Sequence, residues 1–150
     1  MTPAEAIARG CLRLLAGLGH APVEELTLAN GRRADIAAIA PSGEIVIVEI
    51  KSGVPDFRAD GKWHDYLDFC DTFYFAVGER FPRELLPLDV GLIIADRFGG
   101  TLLRQSPASP LAPARRKAMT ARIARVAALK LMRIRDPDFD PDRPEGGLPL

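Results

Sequence analysis

The sequence predicts an α/β fold, a central mixed β-sheet with helices on both faces and a long C-terminal helix. Three observations carry that prediction. Short runs rich in β-branched and aromatic residues alternate with segments of helical period. Gly, Pro and Asn-Gly turns separate them. The resulting order is α-β-β-β-α-β, followed by a turn, two further strands and a helix.

Residues 3–18 read as a helix, with Thr2 as cap, Pro3 in the first turn and Ile7, Leu14, Leu15 and Leu18 near helical spacing. Residues 23–29 alternate loosely and end at Asn30-Gly31, a strong turn signal. Strands follow at 33–40 and 44–51, joined by Pro41-Ser42-Gly43. The second is a buried central strand by its β-branched content. Ser52-Gly53-Val54-Pro55 breaks it, and a helix is predicted from Phe57 to Asp71, with Asp56 as its N-cap and Trp63, Tyr66, Leu67 and Cys70 along one face. Residues 72–77 form a strand, 81–86 a short helical turn, 90–95 a buried strand and 100–104 an edge strand. A Pro-rich connector leads to a helix at 114–135 with an apolar stripe of Ile123, Ala127, Leu131 and Ile134. The expected organisation is one domain over 1–135 and a Pro/Asp-rich tail over 136–150.

Composition narrows the functions. A chain of 150 residues, 47% hydrophobic and 27% charged, is long and apolar enough to bury a core. No apolar run reaches membrane-spanning length, and Glu5, Arg9 and Arg13 interrupt the segment where a secretory leader would lie. Two cysteines and two histidines make neither a disulfide framework nor a soft-metal site, so a reducing cytoplasm is expected. Net charge is zero but unevenly placed. Residues 1–100 carry −5 and residues 101–150 carry +5, with nine bases and no acid between 101 and 135. Such a patch suits a polyanion, although a solvated helix face has the same composition.

The chemistry lies in the hairpin of 33–40 and 44–51. A three-residue loop with Gly43 left-handed pairs residue 40 with 44 and sets Asp35 opposite Glu49. Lys51, two residues on, faces the same side. A register slip of one residue would part the two acids. Opposed carboxylates among apolar neighbours repel, so a raised pKa, a salt bridge from Lys51 or a hard cation must offset the cost. Asp35, Glu49 and the Ile50 carbonyl make a donor set for Mg²⁺ or Mn²⁺, with Lys51 placed to stabilise charge on a phosphate. Ordinary ion pairs of the two acids with Arg32, Arg33 and Lys51 at a sheet edge are the competing arrangement.

Asp35 followed by Glu49-Ile50-Lys51 resembles the Asp…(Asp/Glu)-x-Lys signature of the PD-(D/E)XK nuclease superfamily, with Ala34 where that pattern has proline. More specifically, Leu28-Ala29-Asn30-Gly31-Arg32-Arg33-Ala34-Asp35, Glu49-Ile50-Lys51-Ser52, Asp56-Phe57-Arg58-Ala59-Asp60, Lys62-Trp63, Cys70-Asp71, Phe75-Ala76-Val77, Val90-Gly91-Leu92-Ile93 and Arg115-Arg116-Lys117-Ala118 resemble the MmcB family of DNA-repair proteins. The resemblance covers about residues 5–135. It implies a restriction-endonuclease-like fold and a bacterial cytoplasmic DNA-repair protein acting as a metal-dependent DNA endonuclease. Asp35, Glu49 and Lys51 would then be catalytic, with Asp35 and Glu49 holding the metal. Glu25 is the candidate for a further acidic ligand and Glu5 its rival. Arg32, Arg33, Lys62 beside Tyr66, Arg115, Arg116, Lys117, Arg122 and Arg125 are the candidate DNA contacts. Other repair proteins are possible partners, and the analogy extends to a homodimer. The alternative is a DNA-binding or partner-binding repair module on the same fold that does not cut. An RNA nuclease ranks lower, because no paired-aromatic RNA motif is present.

Overall fold

A computed structural model describes residues 1–140, 142 and 143. Six strands form one mixed sheet in the order β1 to β6: Ala21–Thr27, Arg33–Ile39, Ile45–Lys51, Thr72–Val77, Gly91–Ala95 and Gly100–Arg104. The β1–β2, β2–β3 and β5–β6 pairs are antiparallel; β3–β4 and β4–β5 are parallel.

Helix α1 (Pro3–Gly17) covers one face. Its start is a reciprocal cap: Glu5 N–H donates to Thr2 Oγ1, and Thr2 N–H donates to the Glu5 carboxylate. Ile7, Cys11 and Leu15 pack on Ile36, Ala38, Val46, Val48, Tyr74 and Ile93. The opposite face carries Ile45, Ile47, Phe73 and Phe75 under Trp63, Tyr66 and Phe69, with Met119 and Ile123 of helix α3 (Pro113–Arg135). Among the described residues, one buried acid beyond the hairpin site clasps α3 to the sheet. Asp71, 3% exposed, accepts from Ile45 N–H and Leu111 N–H and pairs with Arg116 of α3. Burial alone would raise the Asp71 pKa; those donors outweigh it and hold the carboxyl below its ordinary value.

Three expectations need correction. The single helix predicted over 57–71 is two pieces: helix α2 (Val54–Ala59) and a 3₁₀ segment, Trp63–Phe69. Pro55 opens α2 instead of ending the preceding strand, because a first-turn proline loses no helical hydrogen bond. Asp56 is therefore inside the first turn, where it accepts from Ser52 N–H, and Gly53 takes the cap position. Second, β1 begins two residues early and contains Pro22, which an edge strand tolerates. Third, the apolar stripe of α3 is buried only in its first half. Met119 and Ile123 are covered, whereas Leu131 is 65% and Ile134 78% exposed. Helix α3 ends at Arg135, and the expected tail lies partly outside the described residues.

Candidate active site

The hairpin register is the expected one. Ile36 pairs with Val48 and Ile39 with Ile45, while Ala40 N–H bonds Glu44 O and Gly43 (φ +90°) turns the loop. Continuing that register sets Asp35 opposite Glu49, but the ladder ends at Ile36–Val48. Side chains replace the missing rungs. Asp35 N–H donates to Glu49 Oε1 at 3.0 Å, and Ile50 N–H donates to Asp35 Oδ2 at 2.8 Å. The two strands thus open as a fork whose gap holds both carboxylates. In a strand, one residue's N–H and C=O point to the same edge. The Ile50 carbonyl accordingly faces the gap as its N–H does.

Glu49 is 4% and Lys51 6% exposed; Asp35 is half-buried. Burial, then the neighbouring Asp35 charge, pushes Glu49 up to about 9. Burial also raises Asp35, against the hydrogen bond from Ile50 N–H and the charge of Lys51. Burial and the facing charge thus both oppose ionisation of the pair in the absence of a cation. Tyr66 is pushed up to about 12 by burial and by the facing Glu49, and its hydroxyl donates to Arg33 O at 3.0 Å. That bond ties the 3₁₀ segment to the strand entering the fork.

The fork opens into a cavity of about 700 Å³ between α1, β1 and α2. Seven carboxylates line it, those of Glu5, Glu24, Glu25, Asp35, Glu49, Asp56 and Asp60, against the bases Arg9, Arg33 and Lys51. Glu25 lies between the Glu24–Ile36 and Leu26–Ala34 pairs, so it is across from Asp35. Among the described residues it alone among non-glycines has a left-handed φ, +54°, a conformation that costs roughly 1–2 kcal/mol. Glu5 reaches the wall with its carboxylate committed to the α1 cap. Among the described residues no three His, Cys, Asp or Glu side chains converge as a ready cation cage. Asp35, Glu49 and the Ile50 carbonyl remain as a donor set. Two facing carboxylates whose ionisation is opposed by burial and by each other fit a hard divalent cation completed by water.

Lys51 is not paired with either of those acids. Its ammonium lies 2.8 Å from Asp60, just after α2. Sequence reading had no signal for this contact, because a loop and a helix separate the two residues. Arg9 and Glu24 in the cavity wall were missed for the same reason.

The expected DNA contacts divide. Arg32 pairs with Asp65 at 3.1 Å. Arg115 donates to Asp68 O and stacks 4.8 Å over Phe69; Arg122 donates to Thr27 O. Arg116 pairs with buried Asp71. Arg33, Lys62, Lys117 and Arg125 have no side-chain hydrogen bond or ion pair among the described residues, and of these Arg33 lines the cavity.

The fold and the fork define a six-stranded α/β protein that buries an acid–acid–lysine cluster at an opened strand pair. The chain belongs to the MmcB-like DNA repair protein family, whose model matches residues 2–138. It is also similar to a solved structure, the SPO1766 protein of unknown function from Silicibacter pomeroyi, with 43% identity and a TM-score of 0.91. That match covers 93% of this chain and 96% of the other. No curated protein matches. No helix among the described residues is long and apolar enough to cross a membrane.

Proposed function

We propose that this DNA-repair-family protein is a metal-dependent deoxyribonuclease of the PD-(D/E)XK type, hydrolysing phosphodiester bonds at the β2–β3 fork. One observation carries the reading: Asp35 and Glu49 meet where the ladder opens, with Lys51 on the same strand and in the same cavity. In this reading Asp35, Glu49 and the Ile50 carbonyl hold Mg²⁺ or Mn²⁺. When bound, the ion supplies Lewis-acid polarisation of a phosphate and lowers the pKa of a nearby water. Lys51 places a positive charge against the phosphate oxygens as negative charge develops on them. Arg33, on the cavity wall, holds a neighbouring phosphate. Tyr66 keeps the strand carrying Arg33 and Asp35 at a fixed height.

The test is a cleavage panel of nicked, flapped, branched, single-stranded and cross-linked DNA with Mg²⁺ or Mn²⁺. Asp35→Ala, Glu49→Ala and Lys51→Ala should each abolish cutting, by a factor of at least about 10², as for loss of one preorganised electrostatic group. Calorimetric Mn²⁺ titration should show one site in wild type and none in the first two variants. Wild-type cleavage rates in either carboxylate variant would remove the reading.

The excess of seven acids over three bases weakens the cavity's hold on a phosphate backbone and supports a second reading, a repair module that binds a partner, or DNA through another surface, without cutting. It predicts Mn²⁺-independent DNA binding and no cleavage of any substrate in the panel.

A further inference from the structure

Lys51 presents a puzzle of charge. Its side chain is 8% exposed, and its ion-pair partner is Asp60, itself 20% exposed, at 2.8 Å. The ammonium has three donors, and this carboxylate accepts one of them in the cavity that holds Asp35 and Glu49. A polyanion approaching this cavity meets more acid than base, so some carboxylate must yield before a phosphate reaches Lys51.

Asp60 is the acid placed to yield. Glu49 is fixed by the β2–β3 fork, and Glu5 by its helix cap. Asp60 follows α2, a six-residue helix with no buried residue, and its second oxygen accepts from Lys62 N–H two residues on, a local turn that can move together with it. That helix rests on the core through only two half-buried side chains, Val54 and Phe57, the Phe57 ring meeting Phe75 and Phe81 at 5.6 and 6.2 Å. Gly61 follows Asp60 with open space around it. A carboxylate oxygen on a buried ammonium also copies the charge and hydrogen bonding of a phosphate oxygen.

We propose that Asp60 occupies, from within the chain, the place of a backbone phosphate on Lys51, and that nucleic acid binds productively by displacing it as the α2–Gly61 strap swings out. This rests on the nuclease reading for its purpose, but the exchange itself is a binding event and is measured without cleavage. Asp60 acts through Lys51 and is a positioning residue that sets access to the site.

The experiment is fluorescence anisotropy of a labelled duplex oligonucleotide in EDTA, where no divalent ion supports hydrolysis, with inorganic phosphate as a competitor. Asp60→Asn should tighten binding roughly three- to tenfold, and Asp60→Glu should restore the wild-type affinity. In a Lys51→Ala background Asp60→Asn should give no gain. An equal gain without Lys51 would show mere relief of repulsion, and no gain with Lys51 would show no competition; either overturns the proposal. On the unaltered protein, saturating oligonucleotide should shift the Lys51 side-chain NMR signal and speed amide exchange over residues 54–61. Failure of both changes overturns it even if the variants do not fold, whereas free phosphate alone reproducing both would make the ligand a small anion and overturn the nucleic-acid assignment. A wild type that shows the exchange but never cuts DNA with Mn²⁺ sinks the nuclease reading and leaves the gate standing.

Discussion

Glu49 shows how one buried acid ties stability to pH. Its ordinary carboxyl value is 4.5 and in the folded chain it lies at about 9. Between those values the folded state holds a proton that the unfolded chain has released, so stability falls as pH rises through that window. Below it both states are protonated and the effect vanishes. Glu49→Gln keeps an oxygen to accept the Asp35 N–H and removes the titration. It should raise stability by on the order of 2 kcal/mol at pH 8 and leave it nearly unchanged at pH 4.5. Urea melts at the two pH values measure this, and an equal gain at both would show that the proton linkage is not its source. The facing acids were legible in the sequence because the three-residue turn fixes the register, and β periodicity fixes the faces. The partner of Lys51 was not, since nothing local links residue 51 to residue 60. Glu25 was legible only as an acid near the fork; its left-handed backbone follows from tertiary fit, not from residue type.

Helices α1 and α3 are seated by different devices, and each can be broken separately. Gly10 lets α1 rest on the turn before β6, where an added Cβ would overlap the carbonyl oxygens of Asp96 and Gly99. Those atoms are backbone and cannot rotate away. Gly10→Ala should therefore cost about 1–3 kcal/mol or more, read as a lower thermal midpoint, while Gly17→Ala, in open space, should not. Helix α3 is clasped by Arg116 on Asp71. Arg116→Ala leaves the buried Asp71 carboxylate without its cation and should lower the thermal midpoint. Strands were read well from their β-branched runs. Segment 54–69 was not, because Pro55 serves equally as a breaker and as a first-turn residue, and only packing of Trp63 and Tyr66 on Phe73 chooses.

The basic C-terminal third of the chain is partly spent on the fold itself, and that makes a prediction for the whole molecule. DNA affinity should fall with salt at about 0.9 log units per log unit for each phosphate neutralised. Replacing Lys117 or Arg125 by Ala should lower that slope by about 1 with the thermal midpoint unchanged. Arg116→Ala should do the reverse, lowering the midpoint and leaving the slope alone. Filter binding from 50 to 300 mM salt separates the two classes, and a slope change in the Arg116 variant would place that residue among the DNA contacts. A plain count of bases in the sequence could not make this distinction, because the acids that claim them come from distant elements. Strand order in the sheet follows chain order from first to last, so each strand emerging from a ribosome finds its neighbour already present. Arg116 and the Leu111 N–H arrive only afterwards, and until then Asp71 has lost two of its donors. Synthesis therefore passes through a stage in which the sheet can close while its broad apolar side waits for α3, the interval when this protein is most exposed to aggregation and to the chaperones that prevent it.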